Sequence, residues 1–191
     1  AFALAEAGAK VVVSSRKQEA VEEVAKGFRA KGFTALPVAA HAGSKEDLER
    51  LVEQTMNEFG RIDVLVNNAA ANPVFGPVTK CSTEAFDKIM DVNVKGPFEL
   101  GKLIHPIMAK NGGGTVINIS SVGGLSPEPG LGVYSVSKSA LIMLTKVMAE
   151  EWGKDSIRVN AICPGLIKTK FSQAIWDNEQ HLSYMLGSVP L

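Results

Sequence analysis

Tyr134 and Lys138, in the run Tyr134-Ser135-Val136-Ser137-Lys138, stand four residues apart at the start of a stretch that reads as helix from Tyr134 to Trp152. Side chains at i and i+4 share a helix face, so a phenol and an ammonium are presented side by side. A free tyrosine, with a pKa of ~10, is almost wholly protonated at neutral pH and donates its proton sluggishly. A fixed cation beside it stabilises the phenolate and brings that pKa nearer the working range of a general acid or base. Ser121 lies thirteen residues before Tyr134, at the end of the apolar, β-branched run Thr115-Val116-Ile117-Asn118-Ile119-Ser120-Ser121. A hydroxyl at a strand end can hold the group that receives the proton. A Tyr-x-x-x-Lys pair also occurs on solvated helices with no chemistry, so it gains weight only from the elements that position it.

Those elements alternate. Lys10 to Ser15 reads as a valine-rich strand, Lys17 to Lys31 as a helix, Phe33 to Ala39 as a strand and Ser44 to Phe59 as a helix. Ser44 with Asp47 three residues on suits a helix N-terminus. Ile62 to Val66 reads as a strand, apolar after Asp63 and so expected to be buried on both faces. Ser82 to Lys110 is mostly helical; Thr115 to Ile119, the helix from Tyr134, and the strand Ile157 to Ile162 follow. Strands separated by helices predict one α/β domain over residues 1–191 with a parallel sheet between helical layers. Such sheets bind ligands beyond the carboxyl ends of their strands. The loop from Val122 to Gly132, rich in glycine and carrying Pro127 and Pro129, joins Ser121 to Tyr134. It is expected to line a substrate pocket; a plain connector is the alternative.

Further strings sit where the chemistry would need them. Leu65-Val66-Asn67-Asn68-Ala69-Ala70 closes one strand, Asn93-Val94-Lys95-Gly96 lies in the long helical stretch, and Ile157 to Gly165 closes the last strand. In this order and spacing they resemble the short-chain dehydrogenase/reductase family, and the resemblance runs from the first residues to about Trp176. It implies a Rossmann-type, doubly wound, three-layer fold and a catalytic set of Asn93, Ser121, Tyr134 and Lys138. Tyr134 would exchange the proton, Ser121 would orient the reacting oxygen, Lys138 would lower the Tyr134 pKa and grip the nicotinamide ribose, and Asn93 would bend its helix and hold a water. Spacing to Tyr134 selects Ser121 over Ser120.

Against that family pattern the glycine-rich phosphate turn and its strand would precede Ala1, and a closing strand would follow the last residue. Ala1 to Gly8 reads as the last turns of a helix, and the expectation is a piece of a longer chain whose neighbouring strands are left with unpaired edges. Cofactor choice is legible at Ser14-Ser15-Arg16-Lys17. An acid there would bind the ribose hydroxyls of NAD, whereas Arg16, with Ser15 and Lys17, suits the extra phosphate of NADP. NADP(H) is expected, with NAD(H) open. His41 is a candidate at the adenine, although a surface histidine is the commoner case; the resemblance adds Asn68 and Ala69 along the adenosine ribose, and Ile167 and Thr169 at the nicotinamide amide and phosphates. Ala70 stands where the family has glycine.

The implied function is NADP(H)-dependent reduction of ketones, aldehydes or α-dicarbonyls with apolar bodies, as in a subgroup of carbonyl and retinal reductases. The alternatives are 3-oxoacyl-[acyl-carrier-protein] reduction and a non-catalytic nucleotide-binding scaffold. Leu125, Leu131, Phe171, Ile175, Trp176 and Met185 are expected to line the pocket, or else to pack as lid or core; Leu125 is the substrate-binding candidate beside Ser121 and Tyr134. The family also implies a homotetramer through the helices near Asp91–Lys110 and Tyr134–Trp152, using Leu100, Leu103, Ile107, Leu141, Leu144 and Met148; burial within one subunit competes.

The bulk numbers exclude other classes. Twenty basic and twenty acidic residues cancel, which gives no electrostatic case for nucleic acid or an anionic membrane surface. Cys81 and Cys163 make no metal-ligand pattern with the histidines, so no metal is expected. No apolar run reaches a membrane span, and no signal peptide is expected. A cytoplasmic setting is expected, with peroxisome or mitochondrion open.

Overall fold

The computed structural model describes residues 1–169, 172, 173 and 177–187. Five parallel strands alternate with helices: α1 (Phe2–Glu6), β1 (Val11–Ser15), α2 (Gln18–Arg29), β2 (Ala35–Ala39), α3 (Lys45–Phe59), β3 (Val64–Asn67), α4 (Thr83–Met90), α5 (Gly96–Lys110), β4 (Gly114–Ile119), α6 (Gly132–Trp152), β5 (Ile157–Ile162) and α7 (Glu179–Gly187). The expected Rossmann-type α/β architecture is present. Helix starts follow their local chemistry. Ser44 Oγ accepts from the Asp47 amide and Ser82 Oγ from the Ala85 amide, each satisfying one of the orphan donors at a helix N-terminus.

The strands form two ladders. β1 pairs with β2 from Val11↔Ala35 to Ser15↔Ala39. β4 lies between β3 and β5, in register from Val64↔Thr115 and from Gly114↔Ile157. No ladder joins β1 to β3 among the described residues. Because every pairing is parallel, Ser15 and Ala39 end the strands of the first ladder on one side, and Asn67, Ile119 and Ile162 end those of the second together.

Two apolar clusters hold this frame. Ala5, Val11, Ala25, Phe28 and Ala35 join α1 and α2 to the first ladder. Ile104 and Met108 of α5, Met148 of α6, Val116 of β4, and Ile157 and Val159 of β5 form the second. The inward positions of β4 and β5 alternate, as a pleated strand requires. The opposite parity is open among the described residues: Val64, Val66 and Ile162 are 46, 39 and 51 % exposed. This corrects the expectation that the third strand is buried on both faces. Its apolar run is there, but helices cover it only on the side of Leu65 and Asn67.

The long helical stretch from Ser82 is not one helix. Residues Asp91–Lys95 form a π-helical turn between α4 and α5. Such a turn inserts an extra residue and offsets the helix axis. Gly96 closes it, and a side chain there would run into the Ala42 carbonyl.

Candidate functional site

Beyond the carboxyl end of β4 the backbone of Ser121 is extended and its hydroxyl accepts from the Gly123 amide at 3.1 Å. The next residues form a tight turn pressed against α6. A Cβ at Gly124 would lie 2.8 Å from the Lys138 carbonyl carbon, so only glycine lets the turn reach the helix. Ser120 faces the other way and its hydroxyl donates to the Lys138 carbonyl at 2.9 Å. The two adjacent serines therefore divide: Ser120 ties β4 to α6, and Ser121 shares a hydrogen bond with the Tyr134 phenol. The Ser121, Tyr134 and Lys138 side chains are brought together as the spacing predicts.

Lys138 is 1 % exposed. Its Nζ donates to the Ile119 carbonyl at 2.7 Å and sits 5.6 Å from the centroid of the Tyr134 ring. An ammonium has three donors, and among the described residues this acceptor alone meets it. Burial pulls its pKa down to about 8, with interaction with Cys163 offsetting part of the shift. The Tyr134 pKa is displaced upward: burial dominates, the Ser121 hydrogen bond opposes it, and Glu128 adds to it. The expectation that Lys138 lowers the phenol is thus not met by the chain alone. The ammonium lies over the ring and is tied to Ile119, and desolvation of the phenolate outweighs the remaining terms.

Asn93 is completely buried in the π-helical turn. Its Oδ1 accepts from the Ala71 amide at 2.7 Å; its Nδ2 donates to the Ala71 carbonyl and to Ser137 Oγ, both at 3.0 Å. Both amide protons are used, so the side chain has no donor left for a water. It joins the segment after β3 to α6 at Ser137, one turn after Tyr134 and next to Lys138.

A second buried polar chain was not singled out in the sequence. Asn67 Nδ2 donates to Asn118 Oδ1, and Asn118 Nδ2 to Thr145 Oγ1, each at 2.8 Å. It locks β3, β4 and α6 in register behind the site. Inward-facing Asn118 in a β-branched run was the available signal.

The cofactor candidates lie where strands end. Ser15, Arg16 and Lys17 are exposed after β1, Asn68 and Ala69 after β3, and Ile167 and Thr169 after β5. Thr169 is engaged with Ser172, its amide donating to that hydroxyl at 3.1 Å. His41 serves its own loop: Nδ1 accepts from the Gly43 amide at 3.1 Å, and its backbone amide donates to Asp47 at 2.7 Å. A buried ammonium with one acceptor among the described residues, and exposed groups at the ends of β1, β3 and β5, fit a dinucleotide whose ribose hydroxyls would meet Lys138.

Leu125 follows the Val122–Gly124 turn and is 69 % exposed. The segment after β3 lies beside Tyr134. Gly76 donates to the Gly130 carbonyl at 2.9 Å, and Val74, Val78 and Ile89 line a cleft with Tyr134. Phe171, Ile175 and Trp176 lie outside the described residues, as does the side chain of Met185. Leu100, Leu141 and Met148 are buried within the subunit, which favours the competing reading for those three; Leu103, Ile107 and Leu144 are half-buried.

A phenol sharing a hydrogen bond with a serine, next to a buried ammonium, can exchange a proton with an oxygen seated against both hydroxyls. The short chain dehydrogenase family model matches residues 1–180. Dehydrogenase/reductase SDR family member 4 of Sus scrofa is 47 % identical over 186 residues, covering 97 % of this chain and 67 % of the relative. The chain therefore spans about two thirds of that relative's length. A gluconate 5-dehydrogenase from Burkholderia cenocepacia, solved with NADP and tartrate, superposes with a TM-score of 0.89 at 30 % identity, covering 95 % of this chain and 71 % of that one. An NAD+-bound xylitol dehydrogenase superposes at 0.90 and 30 %, covering 99 and 78 %.

Proposed function

This chain belongs to the short-chain dehydrogenase family, and from that premise we propose that it is an NADP(H)-dependent carbonyl reductase using Tyr134 as general acid. The observation that carries the reading is the hydrogen bond between Tyr134 and Ser121, with the Lys138 ammonium buried beside the phenol ring. The nicotinamide, when bound, supplies the hydride. Ser121 holds the substrate oxygen; Tyr134 gives it the proton in reduction and takes it back in oxidation. Lys138 grips the cofactor's ribose, and its charge then favours the phenolate left behind. Asn93 positions α6 through Ser137 and the segment after β3 through Ala71.

NADP(H) over NAD(H) is supported by Arg16 and Lys17, exposed after β1, with no acid from the strand end until Glu19. Val74, Val78 and Ile89 beside Tyr134 support a substrate with an apolar face. A stripe of exposed Val136, Met143 and Val147 on α6, with Phe98 on α5, supports assembly through these helices. Oxidation of NADPH by the full-length protein with an aromatic α-dicarbonyl tests the reading. Turnover with NADPH well above NADH is expected. Equal use of both would remove the phosphate assignment, and a folded, cofactor-binding protein inactive on every carbonyl offered would remove the reductase assignment.

A further inference from the structure

The run Leu125-Ser126-Pro127-Glu128-Pro129 crosses the mouth of the site, and four of its five residues are exposed while the charged one is turned inward. A methyl group placed on Gly123 would come 2.8 Å from Glu128 Oε2, 3.3 Å from Ser135 Oγ and 3.4 Å from Ser121 Oγ. So the Glu128 carboxyl, the Ser135 hydroxyl and the Ser121 hydroxyl all lie against the same side of Gly123. Two further observations belong to this point. Ser135 is 5 % exposed, and its Oγ is the one buried side-chain oxygen without a hydrogen-bond partner among the described residues. An unsatisfied buried hydroxyl costs free energy, and it faces the space the carboxyl approaches. Glu128 also acts on Tyr134 by charge, and its own pKa is pushed up by burial.

An inward carboxyl is the wrong residue for a merely apolar pocket. Its field extends over any substrate whose oxygen is seated between Ser121 and Tyr134. We propose that Glu128 is a specificity-determining residue, which disfavours carbonyl substrates carrying a carboxylate next to the reacting carbon and admits neutral ones. The inference rests on the carbonyl-reductase reading of Ser121 and Tyr134. The physical case is Coulombic: two like charges a few ångströms apart, partly shielded from water, oppose binding far more than the same pair in bulk solvent. Gly123 is part of the device, since any side chain there would displace the carboxyl.

The test compares a 2-oxo acid with the neutral α-dicarbonyl of the same aromatic body, phenylglyoxylate and 1-phenylpropane-1,2-dione. Both are measured with NADPH on the full-length protein. In Glu128→Gln the ratio of kcat/KM, acid over diketone, is expected to rise about tenfold or more, as removal of a close like charge implies. In Glu128→Asp, which keeps the charge, the ratio is expected to stay near that of the wild type. Raising the salt concentration is expected to raise the ratio in the wild type and to move it less in Glu128→Gln. A ratio within about twofold of wild type in Glu128→Gln, with both variants folded, overturns the proposal, because a close charge pair cannot be that weak. Binding of the same two ligands to the NADP+ complex, followed by titration calorimetry, gives an independent readout. If no carbonyl is turned over, the reductase reading fails. The charge preference then stands or falls on whether Glu128→Gln selectively tightens the acid.

Discussion

Lys138 Nζ donates to the Ile119 carbonyl at 2.7 Å from a position that is 1 % exposed, with no carboxylate paired to it in any ion pair among the described residues. A buried charge held by one neutral acceptor is a stability cost kept for function. Its folded pKa is about 8 against an ordinary 10.5. At about 1.4 kcal/mol for each pKa unit, the protonated form carries a cost on the order of 3 kcal/mol at pH 7. The sign follows from proton binding. Between pH 8 and 10.5 the unfolded chain binds more protons than the folded one, so stability rises through that window and the cost disappears above it. Lys138→Met is therefore expected to stabilise the fold at pH 7 by about 1–2 kcal/mol net of the lost hydrogen bond, with the gain shrinking by pH 10. Turnover and cofactor affinity should both fall. Urea unfolding of the two proteins at both pH values checks the first part; a variant less stable than wild type at pH 7 would remove the buried-charge argument.

Tyr134→Phe keeps the ring under the ammonium and removes only the proton carrier. Turnover is expected to fall about 10²–10⁴-fold, the range for losing a positioned general acid, while cofactor binding stays within a few-fold. Because burial raises the phenol's pKa, reduction by the wild type should show no loss from phenol ionisation below pH ~10. Substantial residual activity in the variant would refute the acid role.

These two residues show what could be read from the sequence and what could not. A phenol and an ammonium at i and i+4 are set by helix geometry alone, and Ser121 by its place at a strand end. Strand–helix alternation and the Ser44 cap are likewise local. The sign of the Tyr134 shift is not local, since it depends on how deeply the turn at Gly123–Gly124 buries the ring. Asn118 reaches Asn67 and Thr145 across 51 and 27 residues of chain, and the inward turn of Glu128 depends on Gly123. The exposure of Val64 and Val66 could not be read from their apolar run, because burial of a strand is decided by its neighbours. The π-helical turn at Asp91–Lys95 leaves the composition of a helix unchanged and so hides in it.

Arg16 is exposed after β1, where a guanidinium can take a phosphate through two parallel N–H donors. Arg16→Ala is expected to weaken NADPH about tenfold or more and NADH far less, as loss of a charge-assisted pair implies. Fluorescence titration of both cofactors decides it, and an equal effect on the two would remove Arg16 from the phosphate site.

Ser120 and Ser121 are neighbours with separate duties, and paired alanine variants can tell them apart. Ser120 Oγ donates to the Lys138 carbonyl from a buried position. Ser120→Ala is expected to cost about 1–2 kcal/mol of stability, the usual range for a buried hydrogen bond with one partner deleted. Its effect on turnover should be small, since the backbone of α6 is also held by Asn93 through Ser137. Ser121→Ala removes the hydroxyl that meets Tyr134 and the oxygen being protonated. It is expected to lower kcat/KM about 10²-fold or more, as loss of a hydrogen bond that strengthens in the transition state would, with a stability cost of about 1 kcal/mol for the Gly123 amide left unpaired. The spacing argument assigns Ser121 by a single residue. A reversed pattern, with Ser120→Ala inactive and Ser121→Ala merely less stable, would shift the catalytic hydroxyl by that residue and with it the geometry of the whole site.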